Sequence, residues 1–114
     1  MSAITTHVLD TSRGRPAPGV IVVLELRRED DTWNELARGT TNADGRITDL
    51  LPDGAKPKPG VYRLRFATGN YFTSLGVRGF YPEVHVLVRI EEAAGHYHIP
   101  LLLSPFGYST YRGS

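Results

Sequence analysis

Cysteine is absent from all 114 residues, which excludes disulfide stapling, zinc–thiolate centres and thiol nucleophiles. Charge of one sign is missing as well. Thirteen Lys and Arg against twelve Asp and Glu leave a formal net charge of +1, so there is no electrostatic case for a nucleic-acid or membrane partner. No apolar run approaches the ~20 residues of a membrane span. Met1 to His7 carries neither the basic nor the apolar segment of a secretory signal, and the last residues are not a peroxisomal address. A cytoplasmic location is the expectation. There is no Gly-x-Ser-x-Gly elbow, no acid spaced to complete a serine triad and no phosphate-binding glycine loop.

What is present describes an ordinary folded domain. Hydrophobic residues make up 40% and charged residues 22%, which argues against disorder. The length suits one domain over residues 1–114 with one core. Twelve glycines and eight prolines favour many short strands and turns over a helical bundle. Period-two patterns run through Thr5 to Asp10, Val20 to Arg28, Trp33 to Thr40, Arg46 to Asp49, Val61 to Ala67, Glu83 to Ile90, His96 to Leu103 and Gly107 to Arg112. Thr11 to Gly19 and Pro52 to Gly60 read as loops, and Glu91 to Gly95 as a turn. Asn42-Ala43-Asp44-Gly45 is a tight turn, because Asp-Gly supplies the positive φ such turns need. Tyr71, Phe72 and Leu75 share helical spacing within Thr68 to Gly76. The predicted fold is all-β: an antiparallel sandwich of seven or eight short strands with one short helix.

The polar chemistry concentrates near the C-terminus. His96 and His98 are two apart in a strand and so point the same way. Ser109 and Tyr111 share a face that a tight hairpin at Ser104-Pro105-Phe106-Gly107 can align with His98. Far upstream, His7 shares a face with Thr5 and Leu9, and Arg46 follows the Asp-Gly turn. Such a set, with Arg112 near the end, is able to hold a small anionic or strongly polar ring and to deprotonate a water. Two same-face histidines can chelate zinc or copper, but no third ligand lies nearby in sequence, so no metal is expected. The bland alternative is a hairpin with a polar outer side. A tail ending in Tyr111-Arg112-Gly113-Ser114 would normally fray, and a site or contact that orders it is the more interesting reading.

These residues also carry a resemblance. Thr5-Thr6-His7-Val8-Leu9-Asp10, Thr41-Asn42-Ala43-Asp44-Gly45-Arg46, and His96-Tyr97-His98-Ile99-Pro100-Leu101-Leu102-Leu103-Ser104-Pro105 running into Tyr108-Ser109-Thr110-Tyr111-Arg112-Gly113-Ser114 resemble the transthyretin-related family of 5-hydroxyisourate hydrolases. The likeness covers nearly the whole chain, in order. Departures in the Arg89 to Gly95 segment fall in a turn. Transthyretin itself, a hormone carrier on the same fold, resembles the chain in the Ser-Pro and Tyr-Ser-Thr stretch but lacks the two histidines and the terminal Tyr-Arg-Gly-Ser.

The resemblance implies an eight-stranded transthyretin-like sandwich assembled as a homotetramer, a dimer of dimers around a channel that holds the site. It implies cofactor-free hydrolysis of 5-hydroxyisourate to 2-oxo-4-hydroxy-4-carboxy-5-ureidoimidazoline in urate breakdown, with His7, Arg46 and His98 as catalytic residues. His7 and His98 would activate and orient water. Arg46 and Arg112 would hold ring carbonyls and the developing oxyanion, and Ser109, Tyr111 and Ser114 would help bind the substrate. His96 shares parity with His98 but lies further from the turn, so a structural or rim role is as open to it as a part in the site. The competing reading is a non-catalytic carrier of small ligands on the same fold, and a third is a monomeric interaction module.

Overall fold

Alternating burial builds the molecule from two sheets. In the computed structural model, which describes residues 2–92 and 95–114, the elements are β1 (Ile4–Asp10), β2 (Arg15–Pro16), β3 (Ile21–Arg27), β4 (Trp33–Thr40), β5 (Arg46–Ile47), β6 (Gly60–Phe66), α1 (Thr68–Ser74), β7 (Val84–Ile90), β8 (Tyr97–Ser104) and β9 (Gly107–Thr110). One sheet runs β2-β1-β8-β9, with β5 also on β1, and the other runs β4-β3-β6-β7. Between them lies one core. Ile4, Val8, Ile99 and Leu101 face Val22, Leu24, Leu64, Phe66 and Val84, all buried. Alternate positions on each strand point outward, as a pleated sheet requires.

The predicted sandwich and its single helix are present. Of the turn expected over 91–95, residues 93 and 94 lie outside the described residues. Two features go beyond the sequence reading. The loop over Thr11 to Gly19 contains the two-residue strand β2, which pairs Leu9 with Pro16 and Asp10 with Arg15. And β1 pairs with β8 in parallel, from Ile4 opposite Tyr97 to Asp10 opposite Leu103, in a sandwich whose other pairings are antiparallel. Alternation sets which face is buried but not the partner or its direction.

Helix α1 covers one end of this arrangement. Tyr71 and Phe72 are buried, and the Tyr71 hydroxyl donates to Asp10 Oδ2 at 2.8 Å. The other oxygen, Asp10 Oδ1, accepts from Ser12 N, Ser12 Oγ and Arg13 N. A buried carboxylate is thereby fully occupied, as burial demands. Leu75, grouped with these aromatics by spacing, is the C-cap of this helix and is 38% exposed.

Candidate active site

The middle of β1 carries the site's first components. Thr5 and His7 point to the outer side of the sheet, while Ile4 and Val8 enter the core. On one flank His7 lies opposite Arg46 of β5. On the other, the parallel register sets Thr5 opposite His98 and His7 opposite Pro100. Three segments distant in sequence thus converge on one outer face.

Arg46 reaches that face through its turn. The Asn42 side chain accepts from Asp44 N at 2.9 Å and from Arg46 N at 3.0 Å. Gly45 N donates to Asn42 O at 2.9 Å, and Val8 N donates to Gly45 O at 2.7 Å. Gly45 has φ of 73°, and a Cβ there would collide with the Val8 carbonyl oxygen. Glycine is required twice over, for the backbone angle and for the close approach to β1.

The tail is held by a different device. Residues 110 and 113 pair with residues 101 and 98, so the β9 register continues to Gly113 without insertion. The ladder lapses between them because Pro100 has no N–H to donate, and its carbonyl accepts from Thr110 Oγ1 at 2.7 Å. It resumes where Gly113 N donates to His98 O at 2.8 Å. A Cβ on Gly113 would stand 2.6 Å from His98 Cδ2. The tail backbone therefore rests on the imidazole edge.

The result is a cavity of about 150 Å³ bordered by Thr5, Arg46, Thr48, His96, His98 and Ser114. Thr5 Oγ1 lies 2.8 Å from His98 Nδ1 and 3.4 Å from His96 Nε2. Burial holds the His98 pKa below the usual imidazole value, helped by the charges of Arg46, His7 and His96. Burial also lowers His7, with Arg46 adding to it, against the opposing pull of the Asp44 carbonyl and carboxylate. Both rings are neutral at neutral pH, the form that accepts a proton. Among the described residues no group of three His, Cys, Asp or Glu is arranged to hold a metal ion.

The sequence-predicted residues fall in three places. Arg46, His98 and Ser114 share the cavity, and His7 adjoins it beside Arg46. His96, left open between the site and a rim role, borders the same cavity. Tyr111 and Arg112 instead border an edge groove of about 320 Å³ with Val86 to Arg89, Tyr97 and Ile99. The Arg112 guanidinium sits 4.6 Å over the Tyr97 ring. Ser109 is exposed on β9, opposite Leu102. Sequence reasoning missed Thr5 and Gly113 as site residues. The signal for Thr5 was its shared face with His7. Gly113 stood inside the terminal Tyr-Arg-Gly-Ser motif, but its own role depends on β8 passing beneath it.

Fold and cavity together define a transthyretin-like sandwich bearing an imidazole–guanidinium site on the outer face of one sheet. The chain belongs to the HIUase/Transthyretin family, whose model matches residues 4–113. A 5-hydroxyisourate hydrolase of Salmonella dublin is 50% identical over 111 residues, covering 97% of this chain and 80% of that protein. The solved structure of Klebsiella pneumoniae 5-hydroxyisourate hydrolase superposes with a TM-score of 0.84 at 38% identity, covering 97% of this chain and 98% of the other. Sea bream transthyretin in complex with thyroxine superposes with a TM-score of 0.91 at 34% identity, covering 98% and 95%. Backbone likeness alone does not separate the two kinds of relative, so side chains must.

Proposed function

We propose that the chain hydrolyses 5-hydroxyisourate, opening a cyclic amide of the ring with a histidine-activated water. The observation that carries this reading is the single cavity shared by Arg46, His96, His98 and Ser114. The relatives that bear the hydrolase name, at 50% identity across most of the chain, support it. In this mechanism His98 takes a proton from water as the water oxygen adds to the ring carbonyl. The Arg46 guanidinium stabilises the oxyanion that forms, with a charge that needs no proton transfer. The imidazolium then returns its proton to the ring nitrogen as the C–N bond breaks. His7 orients the water, and Ser114 helps hold the substrate.

The same reading includes a homotetramer. One chain provides a cavity of only about 150 Å³, below the ~300 Å³ at which small-molecule pockets begin. An apposed sheet from another copy would enlarge and close it. The strands β7 and β9 are unpaired edges of their sheets, and such edges are templates for pairing. Leu87 and Tyr111, 55% and 56% exposed, border the groove beside them. In a dimer of dimers Tyr111 and Arg112 lie at subunit contacts, and Ser109 faces the opposing sheet. A cytoplasmic setting accords with the cysteine-free composition.

The test is ultraviolet absorbance of 5-hydroxyisourate generated in place from urate and urate oxidase. Decay faster than the spontaneous rate is expected, from a protein sizing near four chains of 12.6 kDa. Decay at the spontaneous rate, from protein of that size, would move the assignment to a small-ligand carrier, the reading favoured by the likeness to thyroxine-bound transthyretin. A monomer would overturn the tetramer. In the same assay Gly113→Ala is expected to lower kcat/KM on the order of 10–100-fold, because the added methyl and the His98 ring cannot both keep their places. Circular dichroism should be unchanged, and full activity would show that the tail does not position the imidazole.

A further inference from the structure

Thr5 is only 3% exposed, and its hydroxyl is spent unusually. The adjacent Thr6 donates to the Ile99 carbonyl at 2.6 Å, an ordinary backbone partner. The Thr5 hydroxyl instead meets two imidazole nitrogens, His98 Nδ1 at 2.8 Å and His96 Nε2 at 3.4 Å. A hydroxyl has one proton to give and lone pairs to receive others. With the hydroxyl proton given to one of the two rings, two arrangements remain. Either His96 donates to Thr5 and Thr5 to His98, or His98 donates to Thr5 and Thr5 to His96.

These leave opposite chemistry in the cavity. The first puts the His98 proton on Nε2, making that nitrogen a donor. The second puts it on Nδ1 and leaves Nε2 with a free lone pair. The cavity wall decides between them. Arg46 borders the same space and has only N–H groups to present, so a lone pair at the free nitrogen is favoured over another N–H. Proton uptake points the same way. An imidazolium donates from both nitrogens, and in the second arrangement Thr5 already accepts from Nδ1, so nothing has to turn when Nε2 gains its proton.

We propose that Thr5 is a positioning residue, accepting the Nδ1–H of His98 and donating to His96 Nε2, so that His98 holds its Nε2 lone pair toward the cavity. This deepens and rests on the hydrolase reading. His96 then acts through Thr5 as the terminal acceptor of a three-residue chain, with no contact to substrate required.

Nitrogen-15 NMR of the imidazoles in the ligand-free native protein reads the tautomer directly. His98 is expected to show a protonated Nδ1 and an unprotonated Nε2, and the reverse would overturn the proposal. Thr5→Val keeps the shape and removes the hydroxyl. It is expected to mix the His98 tautomers and to lower kcat on the order of 10–100-fold, with KM little changed. Thr5→Ser should restore the native tautomer and most of the rate. Native kcat in Thr5→Val, or a Thr5→Ser protein as slow as the valine variant, would refute the role. The tautomer is read without substrate, so absence of turnover by the native protein would sink the hydrolase reading and leave this assignment to be judged on the spectrum.

Discussion

His98→Ala is expected to lower kcat for 5-hydroxyisourate by on the order of 10²–10⁴-fold, the range that a positioned general base contributes. The fold should survive, because the ring is half-buried on the outer face of β8 and not in the core between the sheets. Stopped-flow absorbance on the intermediate measures the rate, and the thermal midpoint measures the fold. A variant that keeps native kcat would remove His98 from the chemistry. The native enzyme has a matching pH signature. His98 must be neutral to accept a proton, and burial with Arg46, His7 and His96 places its pKa below the ordinary imidazole value. The kcat/KM profile should therefore be flat through neutrality and fall only below about pH 6.5.

Arg46→Ala should cost on the order of 10²–10³-fold in kcat/KM, the usual loss when one donor to a developing oxyanion is removed. It should also change the histidines. The Arg46 charge lowers both His7 and His98, so removing it raises both pKa values. The acid limb of the residual activity then moves to higher pH, which NMR titration of the two rings would follow independently of turnover. Rings that titrate as in the native protein would show that Arg46 does not act on them. Stability carries the same sign. With folded pKa values below those of the unfolded chain, these histidines cost stability as pH falls below about 6.5, and Arg46→Ala should lessen that cost.

The fold was legible to an unusual extent where local rules govern. Val22, Leu24 and Leu26 mark β3 by alternation, and its observed span, Ile21–Arg27, lies inside the stretch read from sequence. The strand over Trp33–Thr40 matches to the residue. The turn before Arg46 was readable because positive φ at Gly45 and the Asn42 side chain are local requirements. Helical spacing groups Leu75 with Tyr71 and Phe72 but cannot say that α1 stops at Ser74 or that Leu75 stays 38% exposed. Local rules also assign Tyr111 to the face of His98, in keeping with the register through residues 110 and 113, but cannot say that Tyr111 also borders the β7 edge groove. The lapse of the ladder at Pro100 becomes visible only once β8 and the tail are paired.

What the sequence determined by itself is therefore the set of parts: two layers of alternating strands, a glycine turn ahead of Arg46, and two imidazoles on one face of a strand. These follow from backbone sterics and from the period of two, which act over a few residues. Only the tertiary structure decided how the parts meet. The parallel pairing of β1 with β8 sets Thr5 opposite His98 across 93 residues of chain, and β5 closes on the other side of β1 to bring Arg46 to His7. Pairing partners are chosen by burying the whole core at once, a global free-energy balance that no local pattern encodes.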